Sequence, residues 1–453
     1  MTDNRSPAFR ALRMRMEPAW RLIDRSQSLL SHSPEARVGI YALLFFLLLF
    51  ARRHQQLLAP EVWDEDGTQI LPQLINNGPL ALFWSANGYL VLVPRMISFL
   101  ALSISFVQYP LVSTLIAWAF TITVLVAISV APIALRGGPL LGLVVLLIPS
   151  DPEVFGLPLY TLWWAALLVV TAAFWNFGTG RAGWRLAFVV FGGLSSPIIV
   201  LVLPLFLYRA VVRRNDRSEW IIAATSAACA FVQVRSLMTS QLPPGGNDFS
   251  ASSLLLALPT FLGNYIAGVL RGDGTVVTVV TWLAAVATLA LVIATIVQGR
   301  GRRSVMIGLV YLLCGSIFLV AARVTLSALN PETAGPRYFF FPFVIEGWLL
   351  LQICFTATSV ALRSIATLFL MCAAAGALPT LSRSQDRLFW QANVEKCAAV
   401  ADTESYNLPV EFDGSTVRAY ALSLTGGQCR NLIARDLLAG NARRFVARPV
   451  ENR

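Results

Sequence analysis

The stretch "VGIYALLFFLLLFARRHQQLLAPEVWDEDG", residues 38 to 67, decides the fold. It opens with an uncharged apolar run, passes Arg52 and Arg53, and ends in four acidic side chains, Glu61, Asp64, Glu65 and Asp66. An apolar run of this kind beside charged flanks reads as a membrane-crossing helix. The densest carboxylate cluster of the chain is therefore expected at a membrane face.

The composition agrees. Of 453 residues 56% are apolar and only 13% charged, with a mean hydropathy of +0.66, so most of the surface must face something other than water. The net charge of +11 is spread as short arginine patches between apolar runs. That pattern orients a chain in a membrane and excludes nucleic acid as an expected partner.

Residues 1–37 hold seven arginines and no apolar run, so they read as a basic cytoplasmic segment and not as a cleavable signal; the span from Val38 is expected to act as its own insertion signal. With a ruler of about 20 residues per crossing, spans fall near 38–54, 110–135, 138–150, 159–177, 184–195, 197–209, 219–237, 275–297, 305–325, 338–356 and 362–380. That makes an all-α polytopic membrane protein of about eleven helices.

Charge sign fixes the expected topology. Arg136, Arg181, Arg185, Arg209 to Arg217, Arg300, Arg302, Arg303 and Arg363 fall on one side, while residues 61–66, Asp151, Glu153, Asp248, Asp273 and Glu332 fall on the other. Arginine-rich loops stay in the cytoplasm, so the amino end is expected inside and the carboxyl end outside. The apolar stretches 88–107 and 254–270 must then lie in the outer interface. The domain reading is thus 1–37, a membrane domain 38–380 with a first outer loop at 55–109, and a small outer α/β segment at 381–453. In that segment Cys397 and Cys429 are the one disulfide candidate.

Three outer sites could carry chemistry. Clustered carboxylates at Asp64, Glu65 and Asp66 raise one another's pKa and can abstract a proton from a hydroxyl; Trp63 offers a flat face to a sugar ring or an anchor at the interface. Nearby, "NGYLVLVPRMI" (87–97) carries Arg95 into an apolar run, where a lone arginine is costly. In "PSDPEVFG" (149–156) the prolines hold Asp151 and Glu153 in a rigid loop, with Asp151 either capping the turn or meeting a ligand. In "PETAGPRYFFFP" (331–342) Arg337 and Tyr338 stand at the mouth of a span, where guanidinium matches phosphate oxygens or snorkels to the interface. Arg323, Arg271 and Arg235 are weaker versions. With His32 and His54 as the only histidines, there is no metal-ligand spacing, and no phosphate loop or nucleophile elbow.

Three of these features together, the acidic first loop, the second acidic loop and the late Arg337-Tyr338, resemble the GT-C class of integral membrane glycosyltransferases. The segments "EDG" (65–67), "GYLVLVPR" (88–95), "PSDPEVFG", "LSSPIIVLVLPL" (194–205) and "PRYFFFP" (336–342) look like a bacterial branch of that class. The resemblance implies transfer of a sugar from a polyprenyl-phosphate donor to an envelope glycan, lipid or protein acceptor at the outer face of the bacterial inner membrane. It carries the role of base onto Asp64, Glu65 or Asp66. The Asp-Glu pair fits the commonest pattern of the class, and Glu-Asp-Gly, the nearer branch, favours Asp66 with Glu65 next. Sugar contacts are expected at Trp63, Asp151 and Glu153, and lipid-phosphate contacts at Arg337, Tyr338, Arg95 and Arg271. No cofactor is obligatory, although clustered carboxylates could hold a divalent cation. The alternatives are a transporter or flippase, which would place charges mid-span, and an envelope polysaccharide ligase or polymerase.

Overall fold

The computed structural model of the chain describes residues 33–179, 182–240, 255–268, 270, 274–298, 303–381, 383, 387–411 and 420–438. It is an α-helical multi-pass membrane protein. Among the described residues seven helices are long and apolar enough to cross a bilayer: α1 (Pro34–Leu58), α4 (Tyr109–Val130), α9 (Arg217–Thr239), α11 (Thr275–Gln298), α12 (Arg303–Ala321), α13 (Arg337–Thr356) and α14 (Val360–Ala377, carried on by a short 3₁₀ turn to Thr380). Their outward faces carry bare apolar side chains such as Leu43, Phe231, Leu283 and Leu368, a surface that lipid and not water covers.

Four of the expected spans are short helices: α5 (Pro139–Leu146), α6 (Thr161–Ala173), α7 (Ala182–Gly193) and α8 (Ile198–Val212). The run near 138–150 is helical for only eight residues, because Pro149 and Pro152 cannot continue a helical ladder. Residues 92–104 (α3) and the helix Leu255–Ala267, which ends in α10 (Asn264–Ala267), are likewise short at about 1.5 Å per residue.

The central helix is α13, whose Phe339, Phe340, Phe343, Ile345, Trp348 and Leu350 are all fully buried. The first loop folds as a π-helical turn at Asp66–Ile70, α2 (Leu71–Asn77), and a hairpin of β1 (Ser85–Ala86) and β2 (Tyr89–Leu90). The hairpin loop is Asn87-Gly88, both with positive φ, the turn chemistry that two-residue hairpins require.

The carboxyl-terminal segment is α15 (Trp390–Ala399), an antiparallel pair β3 (Ser405–Pro409) and β4 (Ala421–Thr425), and α16 (Gly426–Ala434). A disulfide joins Cys397 to Cys429. Its core is shared with the first loop: Val62, Leu71, Phe106 and Tyr109 bury against Trp390, Val394, Leu408 and Leu422.

Candidate active site

The site forms where α1, the 147–160 loop, α13 and the carboxyl-terminal segment meet. Backbone pairing fixes its acidic loop. Residue 411 adds a parallel bridge beside Trp63, with the Glu411 amide donating to Val62 O at 2.7 Å and the Asp64 amide donating to Glu411 O at 2.8 Å. Glu61 does no chemistry in this arrangement; its carboxylate accepts from the amides of Leu388 and Phe389 and so ties down the tail.

Arg337, the first residue of α13, organises the centre. Its Nη1 lies 2.9 Å from Glu153 Oε1 and 2.8 Å from the Tyr160 hydroxyl, which itself donates to Glu153 at 2.6 Å. The same nitrogen is 3.7 Å from Glu65 Oε1. Nε and Nη2 of Arg337 make no hydrogen bond to the described residues, and 34% of the side chain is exposed, so one edge of the guanidinium stays open to a ligand. Its Cζ stands 5.5 Å over the Tyr338 ring. Tyr89 lies beside them, its hydroxyl pushed up to about 12, first by burial and then by the Tyr338 hydroxyl.

The three first-loop carboxylates differ. Glu65 accepts from the Trp63 indole N–H and faces Arg337; burial pushes its carboxyl above the usual carboxylate range. Asp64 accepts from the Thr68 hydroxyl at 3.2 Å and is raised by burial too. Asp66 lies beneath them, 1% exposed, with one oxygen taking the Leu159 amide at 3.3 Å and the other unpartnered among the described residues. Burial drives its carboxyl up to about 8, because the charged form has little water to solvate it.

Several of the residues expected at sugar and phosphate are engaged within the protein. Trp63 offers no open face: it is 2% exposed, with its ring between Tyr160 at 5.9 Å and the Arg383 guanidinium at 5.5 Å. Glu153 is buried and spent on Arg337 and Tyr160, which makes it the support of the arginine and not a sugar ligand. Asp151 is held at 2.6 Å by Arg383. Arg95 is fully buried and holds Gln73 Oε1 at 2.6 Å and Ser85 O at 3.1 Å, bracing the hairpin. Arg271 lies outside the described residues.

From sequence Arg52 and Arg53 pair alike with the nearby acids of residues 61 to 66, and nothing there separates their roles. Helix α1 breaks its regular backbone there, with φ −148° and ψ 35°, and the side chain turns inward to 1% exposure. No guanidinium nitrogen of Arg53 has a hydrogen-bond partner among the described residues. Its charged neighbours are Arg383, Glu411, Asp151 and Glu153. Arg52 beside it is held instead through both terminal nitrogens, by the carbonyls of Ala377, Ile148 and Ser150 and the Thr380 hydroxyl. A basic pair at a span end ordinarily snorkels; only the local backbone break separates the two roles.

Chemically the cluster offers carboxylates with raised proton affinity beside two incompletely used guanidinium groups, a combination suited to moving a proton next to an anion. Among the described residues no three His, Cys, Asp or Glu side chains are grouped to hold a metal ion. No family model, curated protein or solved structure matches the chain.

Proposed function

We propose that the chain is a membrane glycosyltransferase of the GT-C type that takes a sugar from a polyprenyl-phosphate donor and inverts it onto an envelope acceptor. The observation that carries this reading is the convergence of Glu65, Glu153 and Arg337 from three distant segments onto one nitrogen. In this reading the eleven apolar segments read as spans all pass through the bilayer, α5 to α8 as short helices lengthened by their flanking turns, while α3 and the helix Leu255–Ala267 lie in the outer interface; the amino end is in the cytoplasm and the carboxyl segment outside the bacterial inner membrane.

The reaction is a single displacement. A first-loop carboxylate takes the proton of the acceptor hydroxyl, the oxygen attacks the anomeric carbon, and the sugar–phosphate bond breaks. The leaving phosphate charge is met by the open edge of Arg337, and that interaction strengthens as the bond breaks. Glu65 is the better-placed base: it flanks Arg337, and its side chain is 16% exposed. Asp66 is the stronger base once ionised but is sealed beneath it. The glycine branch of the resemblance favours Asp66; the reach needed to touch a substrate favours Glu65.

The test incubates purified protein with a panel of polyprenyl-phosphate sugars and follows release of polyprenyl phosphate. Release that Glu65→Gln abolishes supports the proposal. A folded protein that releases none from any donor overturns it.

A transporter is the second reading, and Glu346 favours it. This carboxyl lies midway along α13, fully buried, with neither oxygen partnered among the described residues, and ionisable groups in that position mark ion or substrate paths. Glu346→Gln should leave sugar transfer intact if the enzyme reading holds, and should block substrate movement across vesicles if the transporter reading holds.

A further inference from the structure

At the end of the bundle opposite the acidic site, α6 runs out into Phe177 and Gly178, and α8 turns into α9 through residues 213–216. Two buried arginines there are engaged by one carboxylate. Arg185 and Arg209 each reach both oxygens of Glu219, at 2.8 to 3.1 Å, and Arg209 also holds Ala173 O. Glu219 is thereby saturated. Arg213, Arg214 and Arg217 have no carboxylate partner among the described residues, because the one other acid of the turn, Asp216, is engaged by the amide and hydroxyl of Ser218.

Arg213, Arg214 and Arg217 sit around a hollow, and Arg213 joins Arg209 against an aromatic ring. The Cζ atoms of Arg209 and Arg213 stand 4.2 and 4.6 Å from the Phe177 ring. A cleft of about 590 Å³ lies between Phe177 and Gly178 on one wall and Arg213, Arg214 and Arg217 on the other; Asp216 also lines it, so the three arginines leave an excess of positive charge. Its surroundings are aromatic and bare: Trp184 is 62% exposed and Trp220 46%, and the Trp220 indole donates to Arg214 O at 3.1 Å. Exposed tryptophans of this kind seat at the headgroup level of a bilayer, and arginine forks match phosphate oxygens in pairs.

We propose that this cleft is a binding site for the phosphate headgroup of an anionic phospholipid. A soluble phosphate shares the chemistry of the headgroup, but the cleft lies beside the exposed Trp220 and next to apolar helices that lipid covers, where a headgroup is the phosphate at hand. The proposal is independent of the glycosyltransferase reading, since the cleft shares no residue with the acidic site.

The test is native mass spectrometry of the full chain released from neutral detergent after exposure to phosphatidylglycerol, to phosphatidylcholine, or to inorganic phosphate. The wild type should retain phosphatidylglycerol at least about tenfold over phosphatidylcholine, and the triple change Arg213→Gln, Arg214→Gln, Arg217→Gln should remove that preference. Lysines at the same three positions should keep part of it, since charge remains without the fork. They also serve as the folded comparison should the glutamine variant misfold. Equal retention of both lipids by the wild type, an unchanged preference in the glutamine variant, or competition by inorganic phosphate as strong as that by lipid would each overturn the proposal.

Discussion

Arg337 lies 2.9 Å from Glu153 and is held by it, so the acid of the second loop decides where the arginine at the start of α13 presents its free edge. The Tyr160 hydroxyl closes the triangle, and Glu65 completes the surroundings at 3.7 Å. A guanidinium fixed on one side and open on the other is oriented before any ligand arrives, which lowers the cost of binding.

Arg337→Ala should therefore cut use of a lipid-phosphate donor more than Arg337→Lys, by about tenfold or more, because lysine keeps the charge but not the fork. The alanine change should also cost roughly 1–3 kcal/mol of stability, because it leaves Glu153 buried without its partner. Glu153→Gln should move the donor KM without removing turnover. Steady-state kinetics with thermal melting checks all three, and full activity in the alanine variant returns Arg337 to an interfacial anchor.

Asp66 makes stability depend on pH. Its carboxyl is held at about 8 in the folded chain against an ordinary 3.8, so as pH rises between those values the unfolded chain gives up its proton while the folded chain keeps it. Stability is fully present below the lower value and is lost as pH climbs through the upper one. Asp66→Asn should then melt higher than the wild type at about pH 8, by roughly 3 °C or more, with the two curves meeting near about pH 4. Coincident curves at both pH values would show that the carboxyl is not buried in this way. If the variant is stabilised yet loses all transfer, Asp66 and not Glu65 is the base.

Breaking the Cys397–Cys429 bond should loosen the acidic loop as well as the tail. The bond closes a loop of sequence separation 32, worth about 3–4 kcal/mol in the chain-entropy account, and the segment it stabilises supplies the backbone that pairs with Val62 and Asp64. Cys397→Ser should lower activity and increase proteolysis between residues 55 and 75. Mass analysis without reductant should find both thiols oxidised in the wild type.

Gly67 sits where the tail presses on the loop. A Cβ there would stand 2.4 Å from Val410 Cγ1 and 3.3 Å from Val62 Cγ1, closer than packed carbons tolerate. Gly67→Ala should cost about 1–3 kcal/mol, and Val410→Ala in the same chain should recover most of it. A double-mutant cycle that shows no coupling would place the strain elsewhere.

The long helices were legible because uncharged apolar runs leave the backbone few other choices in lipid. The shorter ones were legible as apolar segments but not as lengths, since Pro149 and Pro152 end α5 early. The Cys397–Cys429 pair stood out because the other four cysteines lie in apolar runs. At the site, position 65 and position 337 were both visible, but their meeting was not. Trp63 was misread because a ring beside acids looks like a sugar platform until Tyr160 and Arg383 arrive from distant sequence to cover it. Arg53 was hidden because its role depends on one backbone angle. Glu346 was hidden by the length of the apolar run around it.

The clamp between the tail and the acidic loop also sets a schedule. The Glu61 carboxylate grips amides 327 residues downstream, and the strand that flanks Trp63 arrives with residue 411. A ribosome releases the carboxylates of residues 61 to 66 well before residues 388 to 411 that clamp them. Nascent chains in the membrane therefore first carry the acids without the shape, and any activity belonging to that loop is withheld until the clamp has been made.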